Sequence, residues 1–356
     1  MIKFAILGCG RISKRHSELL GFNKIKNASL VAVCDLDIKK AEVISEQFNV
    51  KAFTDMHQML SDIDIDIDVV VILTESGNHA KHVLELAKYK KHIIVEKPMA
   101  LTLSDADEMI KACDNNKIKL FVIKQNRFNV PVVKLREAIT KKRFGKLVLG
   151  TVRVRWCRPQ EYYDQDSWRG TWAMDGGIIT NQASHHIDLL HYMMGDVESV
   201  HAMSTTALVD IQAEDTAVVN VKFKNGALGI IEATGATRPS DLEGSLSILG
   251  EMGSVVIGGF AVNKMETWNF TDKDTQDDEV IKKYSVNPPN VYGFGHQEYY
   301  EHVVDVLENR SEKFIDGREG RKSLEIITSI YESIETGQVI KLPVHPNLSK
   351  LGVDVG

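Results

Sequence analysis

The sequence predicts an α/β protein: a parallel sheet covered by helices on both faces, followed by an α+β region with a large, open-faced, mostly antiparallel sheet. Three observations carry this. The first 125 residues alternate short Val/Ile-rich runs with amphipathic helical stretches. Those runs are unbroken by polar residues, so both of their faces are buried, as in βαβ units. Beyond about residue 130 the pattern changes to strands of alternating polarity separated by turn sequences, as hairpins require.

In the first part, Ile2–Leu7 reads as a strand and Ile12–Leu20 as a helix stopping at Gly21. Leu30–Cys34 is a second strand and Asp37–Phe48 a helix. Val69–Leu73 is a third strand, followed by a helix over Asn78–Lys88. Ile93–Val95 is a fourth, followed by a helix over Ser104–Asn115, and Leu120–Ile123 is the fifth. Asp62–Asp68 alternates Asp with Ile, which reads as a short solvated edge rather than a metal site.

In the second part, a helix over Val130–Lys142 leads into a strand over Leu147–Trp156, and Ile178–Met194 is helical. Strands follow at Val197–Thr206, Ala217–Lys222, Ala227–Thr234, Gly244–Leu249 and Ser254–Ile257. Turns such as Lys224-Asn225-Gly226 separate them. Thr271–Lys283 is polar and reads as an exposed loop. Late helices over Glu298–Glu308 and Arg321–Ser333 close the domain. The domain boundary is expected at 125/126.

The chain has 356 residues, of which 43% are hydrophobic and 26% charged, and its net charge is −6. At roughly 150 residues per domain, two domains are expected. The acidic balance and the lack of a basic tract argue against a nucleic-acid partner. The longest apolar run, Val69–Leu73, is far too short to span a bilayer, and no secretory signal is read at the N-terminus. Cys9, Cys34, Cys113 and Cys157 form no C-x-x-C pair and read as reduced thiols of a cytoplasmic protein.

The turn Gly8-Cys9-Gly10-Arg11-Ile12-Ser13 follows a strand and opens a helix. The first glycine permits the tight turn, and the second admits a pyrophosphate to the backbone. The third position, usually Gly or Ala, is Ser13, still small enough for helix–sheet packing. The helix N-terminus offers free N–H groups to the phosphates. This is the fingerprint of a Rossmann dinucleotide-binding domain, with Gly8, Gly10, Arg11 and Ile12 against the cofactor. Asp35 ends the second strand, where an acid accepts hydrogen bonds from the adenosine ribose and repels a 2′-phosphate, so NAD is expected over NADP. The competing reading is that Asp35 only caps the next helix. Ligands of such sheets sit at the carboxyl ends of the strands. Thr74, Ser76, His79, Glu96 and Lys97 therefore border the nicotinamide, although the Glu96-Lys97 pair could also be a strand-end salt bridge.

Glu96-Lys97-Pro98 and the N-terminal fingerprint together resemble the Gfo/Idh/MocA family of oxidoreductases over nearly the whole chain. The second half is similar to the bacterial branch that oxidises UDP-N-acetylglucosaminuronate at C3 for O-antigen and lipopolysaccharide synthesis. The runs that carry this are Lys124-Gln125-Asn126-Arg127, Arg158-Pro159-Gln160-Glu161-Tyr162-Tyr163, Trp168-Arg169-Gly170-Thr171-Trp172, Asp175-Gly176-Gly177, Asn181-Gln182-Ala183-Ser184-His185 and Tyr292-Gly293-Phe294-Gly295-His296. The resemblance implies NAD as cofactor, with Gln125 and Trp168 added to its surroundings. It implies Lys97 and His185 as catalytic residues at the substrate carbinol. It further implies Arg127, Arg158, Tyr163, Arg169 and Asn181, with Lys97 and His185, at a UDP-sugar. Asn181 stands where the family commonly has Asp, which removes one acid–base group. A homo-oligomer, dimer or tetramer, formed through the open sheet face is also implied, as are 2-oxoglutarate for recycling NADH in some relatives and a transaminase acting next.

The residues themselves are compatible. Asn181 and His185 are spaced i, i+4 and share a helix face. Gly176-Gly177 before them reads as backbone brought close to a ligand. Arg155, Arg158 and Arg169 interleave with Trp156, Tyr162, Tyr163, Trp168 and Trp172. Guanidinium forks suit carboxylate or diphosphate oxygens, and aromatic planes suit a uracil or sugar face. The same cluster could instead be core or interface. His185, His186 and His191 do not share one face, so no metal is expected. Alternative substrates on the same chemistry are UDP-N-acetylglucosamine, a free sugar or an inositol. A non-enzymatic alternative is an NAD-binding regulator.

Overall fold

The computed structural model describes residues 1–285, 294–344 and 348–355. Tyr292 and Gly293 of the last motif lie outside them. The chain divides into two compact units, Met1–Ile123 with His296–Arg321, and Lys124–Gly295 with Lys322–Gly356. The change of pattern along the sequence falls within two residues of the first crossover. A single boundary at 125/126, however, does not provide for 296–321 in the first unit. Those residues belong there because Tyr299 and Tyr300 are buried, with Tyr300 edge-on to Phe4 at 5.7 Å. In addition, the Val122 N–H donates to the Ile315 carbonyl at 3.0 Å.

The first unit is a parallel sheet of β1 (Ile2–Leu7), β2 (Ala28–Cys34), β3 (Lys51–Phe53), β4 (Val69–Ile72), β5 (His92–Val95) and β6 (Leu120–Val122), ordered 3-2-1-4-5-6. The helices between them are α1 (Ser13–Gly21), α2 (Ile38–Phe48), α3 (Met56–Ser61), α4 (His79–Leu86) and α5 (Leu103–Asn115). β1 and β4 carry a fully buried run at their centres, which is why their sequences are continuous rather than alternating. The edge strand β3 is absent from the sequence reading. Three half-exposed residues are too few to show a period. Asp62–Asp68 is not an edge strand. Its acids meet lysines: Asp62 pairs Lys51 at 3.0 Å and Asp66 pairs Lys3 at 3.2 Å.

The register places the last residues of four strands in one row: Leu7 opposite Cys34 and Ile72, and Ile72 opposite Val95. The groups from Gly8 to Lys97 expected at the dinucleotide each follow one of these four ends, whereas Gln125 follows β6 and Trp168 lies in the second unit.

The second unit carries α6 (Val130–Thr140), β7 (Leu147–Arg155), α7 (Gln160–Tyr163), α8 (Ile178–Asn181) and α9 (Ser184–Met194). β8 (Val197–Thr205), β9 (Thr216–Phe223), β10 (Leu228–Thr234), β11 (Glu243–Gly250), β12 (Gly253–Gly258) and β13 (Lys264–Phe270) follow. After α10 (Asp277–Lys283), α11 (Gly295–Leu307) and α12 (Gly317–Thr336), the short β14 (Ile340–Lys341) completes an eight-stranded sheet ordered 13-12-11-7-10-9-8-14. Of its pairings only β7 with β10 is parallel. α9 packs on this sheet at Gly150, where a Cβ would meet Met194 and Leu190 at 2.7 and 2.8 Å.

Three expectations are corrected here. The helix expected over Ile178–Met194 is broken at Gln182–Ala183 into α8 and α9. The polar segment 271–283 ends in α10, held by Asp277, which takes both Arg143 and the Trp268 indole N–H. Finally, β13 and the short β14 extend the sheet by two strands beyond those read from the sequence.

Candidate functional site

The dinucleotide half is built from the row of strand ends. Backbone pairing runs one residue past each: Gly8 N–H donates to Cys34, Leu73 N–H to Leu7 and Glu96 N–H to Ile72. Gly8 has φ +96°, and a Cβ there would meet the Leu73 carbonyl and the Thr74 nitrogen at 2.8 Å. Its glycine is required by the neighbouring strand. At Gly10 a Cβ would meet no protein atom within 4 Å. Protein packing does not demand glycine there, whereas a pyrophosphate lying against the backbone does. Ser13 is buried, and its hydroxyl donates to the Gly10 carbonyl at 2.6 Å, so the missing third glycine is accommodated by a hydrogen bond within the turn. α1 has no side-chain cap and no acid in its first turn, leaving its N-terminus to an anion.

Asp35 is half-buried. One carboxylate oxygen accepts the Cys9 N–H at 2.7 Å and the other the Asp37 N–H at 2.9 Å. The cap of α2 is Asp37, which accepts from the Lys39 N–H. The capping alternative for Asp35 is therefore excluded. Its carboxylate is tied instead to the glycine turn. These residues fit a dinucleotide whose phosphates lie at α1 and whose ribose lies at β2.

At β4 and β5 the ring of His79 is buried, with Nδ1 at 2.7 Å from the Pro98 carbonyl and Nε2 at 3.0 Å from that of Thr74. Both partners are acceptors, so only an imidazolium satisfies both. Burial lowers the affinity of the ring for that proton. We assign a neutral ring donating to Pro98, the shorter contact. His79 thus ties the end of β4 to the Glu96-Lys97-Pro98 step. Thr74 Oγ1 meets His82 Nδ1 at 2.9 Å, and Ser76 is buried in the following turn. Glu96 is also buried. Its carboxylate accepts the N–H of Lys97 at 2.7 Å and faces His16. Burial alone would raise its pKa, but His16 and Lys97 override this and hold it well below the usual carboxylate range. The Lys97 side chain is half-buried at the same edge.

In the second unit, the Gln125 side-chain amide donates to His185 Nε2 at 3.1 Å, which puts the proton of a neutral ring on Nδ1. Arg127 does not present its fork outward. It binds Asp188 on α9 bidentately at 2.7 and 2.8 Å, with Lys124 at 3.4 Å from the same carboxylate. Burial would raise the Asp188 pKa, but the two cations keep it ionised, well below its ordinary range. Asn181 donates to Asp175 at 2.5 Å, and Asp175 is itself buried. The position where the family commonly has an acid is therefore an amide backed by one.

The glycines before α8 have a different reason from the one expected. A Cβ on Gly177 would meet Glu214 at 2.3 Å, and Gly176 (φ +79°) faces Thr180 and Leu351. They make room for protein. Glu214 accepts the Ile179 N–H and the Tyr331 hydroxyl, and burial pushes its carboxyl up to about 7.

The Arg/aromatic run converges on Tyr162. The guanidiniums of Arg158 and Arg169 lie 5.3 and 4.9 Å from its ring centre, and those of Arg158 and Arg169 also cover Trp156 and Trp168. The Tyr162 hydroxyl takes the Gln182 amide and Arg169, while Arg158 also donates to Asp241 and Gln182. Tyr163 is buried beneath. Arg155 lies apart from them, paired with Glu232 and Glu243 on the sheet. Sequence reasoning did not single out His16, Asp188, Glu214 or Tyr300. Each acts through a partner distant in sequence, which no local spacing reveals.

Residues 2–124 match the NAD-binding Rossmann fold of an oxidoreductase family, and residues 136–342 match the family's C-terminal alpha/beta domain. The chain belongs to the Gfo/Idh/MocA family. It is an NAD-dependent oxidoreductase, and NAD is its cofactor. Among solved relatives, the WlbA dehydrogenase from Bordetella pertussis, in complex with NADH and UDP-GlcNAcA, is 42% identical with a TM-score of 0.91, over 96% of this chain and 98% of that one. The WlbA dehydrogenase from Chromobacterium violaceum, with the same two ligands, is 42% identical with a TM-score of 0.89, over 96% of each chain. Myo-inositol 2-dehydrogenase of Thermotoga maritima is 32% identical over 65% of this chain and 68% of its own. No helix among the described residues of this family member is long and apolar enough to cross a membrane.

Proposed function

We propose that the chain oxidises the C3 hydroxyl of UDP-N-acetylglucosaminuronate to the 3-keto sugar, for O-antigen and lipopolysaccharide nucleotide-sugar synthesis. The observation that carries this is the near-full-length 42% identity to two proteins crystallised with NADH and UDP-GlcNAcA. The chain's own residues support it. Arg158, Arg169 and the rings of Tyr162 and Trp168 form one guanidinium–aromatic array suited to a uracil and to anionic oxygens.

In this reading a bound NAD⁺ would supply the acceptor for the hydride that leaves C3. Lys97 or His185 takes the hydroxyl proton, so that one C–H and one O–H bond break as the carbonyl forms. In the structure the Gln125 amide occupies the Nε2 lone pair of His185, so His185 takes the proton only if a substrate hydroxyl replaces that donor. Asn181, oriented by Asp175, directs its side chain to the sugar. Arg127 acts through α9 rather than on substrate. Gly8, Gly10, Arg11, Ile12, Asp35, Thr74, Ser76, Gln125 and Trp168 surround the dinucleotide, with His79 and Glu96 holding the backbone beside it. The protein is read as a cytoplasmic homo-oligomer, a dimer or a tetramer, and 2-oxoglutarate is the acceptor to test for recycling of its NADH.

A second reading, oxidation of a cyclic polyol, is favoured by the 32% identity to an inositol dehydrogenase. Appearance of NADH absorbance with UDP-N-acetylglucosaminuronate, UDP-N-acetylglucosamine and myo-inositol separates the two, run with and without 2-oxoglutarate. The uronate is expected to be preferred over the parent sugar by about tenfold or more in kcat/KM. Equal turnover of the parent sugar, or turnover of inositol alone, ends the uronate reading.

A further inference from the structure

We propose that His16 and Tyr300 are positioning residues for Lys97, acting through Glu96. This rests on the reading of Lys97 as a group at the reacting carbinol. Three buried residues, Tyr300, His16 and Glu96, lead in one chain to the half-buried Lys97. The Tyr300 hydroxyl meets His16 Nδ1 at 2.7 Å. His16 Nε2 stands 3.5 Å from Glu96 Oε1. Glu96 Oε2 accepts the N–H of Lys97 at 2.7 Å. Burial keeps Tyr300 protonated and able to donate. Its donation to Nδ1 fixes the tautomer with the proton on Nε2, facing Glu96.

The contact to Glu96 is longer than a well-formed hydrogen bond, so the attraction there is mainly Coulombic. Its effect is geometric. A carboxylate drawn toward α1 on one side and bonded to the Lys97 N–H on the other sets the direction in which the chain leaves β5. His79 grips the far side of the same step through the Pro98 carbonyl. Lys97 is therefore flanked by two histidines that have no route of their own to a substrate, since both rings are essentially closed to solvent.

The groups around Glu96 are His16 from α1, His79 from α4, His296, Tyr299 and Tyr300 from α11, and Lys97 beside it. His16, Glu96 and His296 also bring a donor atom each within 4.8 Å of one another, a spacing that a divalent metal could use. We favour the polar chain because donation from Tyr300 to Nδ1 puts the ring proton on Nε2, which leaves that nitrogen no lone pair for a metal.

The test uses the full-length protein with NAD⁺ and UDP-N-acetylglucosaminuronate. Variants are Tyr300→Phe, His16→Phe, Glu96→Gln and Lys97→Ala, and thermal stability and the NAD⁺ dissociation constant are measured alongside turnover. His16→Phe is expected to lower kcat by about tenfold or more with little change in KM, because misplacing a reacting group costs rate rather than affinity. Tyr300→Phe, which deletes one oxygen, is expected to do the same more weakly and decides the matter if His16→Phe does not fold.

The pH profile supplies a readout that a purely structural role would leave unmoved. A base must be neutral to work, and the Glu96 charge favours the Lys97 ammonium. Glu96→Gln should move the acid limb of kcat to lower pH. Removing His16 leaves that charge less compensated and should move the limb to higher pH. Variants that lose rate with an unmoved limb, or that keep kcat within twofold, overturn the proposal. Stoichiometric metal in the purified protein overturns it in favour of a metal site. If Lys97→Ala keeps full turnover, the reading of Lys97 falls, and the proposal falls with it. If Lys97→Ala abolishes turnover while the other variants behave as wild type, only the proposal falls.

Discussion

Gly8 and Gly10 sit two residues apart in one turn, yet the structure gives them different reasons to be glycine. Gly8 carries a positive φ and lies 2.8 Å, by its missing Cβ, from the backbone of the neighbouring strand. Gly8→Ala is expected to cost about 1–3 kcal/mol of folding stability in a denaturant titration, since it adds both strain and a clash. Gly10→Ala meets nothing in the protein. It should leave stability nearly unchanged while weakening NAD⁺ by about tenfold or more in calorimetry. Equal losses of stability in both variants would remove the argument that Gly10 serves the cofactor. Glu214 offers a second residue-scale outcome. Its carboxyl is pushed up to about 7, chiefly by burial. The folded state then holds a proton that the unfolded chain releases from about pH 4.3 upward. Its favourable contribution is complete at low pH and is lost as pH rises toward 7. Glu214→Gln cannot ionise, so it should gain on the wild type by about 2 kcal/mol between pH 5 and pH 8. Parallel stability curves would refute the assignment.

Elements were legible where their period was long. The parallel strands around β1 and β4, the glycine turn, α2 and the hairpins of the second sheet follow from unbroken or alternating apolar patterns. β3 was hidden because three residues carry no period. The break between α8 and α9 was hidden because Gln182 and Ala183 are ordinary helix formers. α10 was hidden because its stability comes from Asp277 binding Arg143 across the unit rather than from an apolar stripe. The site divides in the same way. Residues that follow strand ends could be read from order alone, whereas His16, Asp188 and Tyr300 needed tertiary pairing. Arg127 illustrates the limit. The resemblance implies it at the substrate, but its fork closes on Asp188 and anchors α9, which carries His185. Arg127→Ala would leave that carboxylate buried without its bidentate partner, beside Lys124 and His191, and the expected loss is about 3–5 kcal/mol. Arg127→Lys should recover only part of it, because one ammonium cannot make both bonds. The measurement is an unfolding titration beside turnover. Loss of turnover in Arg127→Ala at full stability and unchanged KM for NAD⁺ would instead return Arg127 to the substrate.

At the scale of the whole molecule, the second sheet has one face covered by helix α9 and one face open. Register assigns the open face: Leu228, Ile230 and Glu232 of β10 lie beside Lys222, Asn220 and Val218 of β9 and beside Leu149, Thr151 and Arg153 of β7. Leu228, Ile230, Val218 and Met203 are between two-fifths and two-thirds exposed on it. Next to them runs a ladder of both signs, with Arg153 and Arg155 bound to Glu232 and Glu243. A solvent-facing sheet face ordinarily avoids such apolar side chains. Charges of both signs on one patch can also pair with the same patch of a second copy about a two-fold axis, as an isologous contact requires. The expected occupant is therefore another copy of the chain. Light scattering should give a mass at least twice the 39.8 kDa of one chain. Ile230→Asp with Val218→Asp places two like charges against the partner's equivalents and should shift the mass to that of one chain. Both sites are exposed, so secondary structure and thermal unfolding should change little at low concentration. A wild-type protein that is already a monomer, or a double variant that keeps the larger mass, would show that this face does not join the copies.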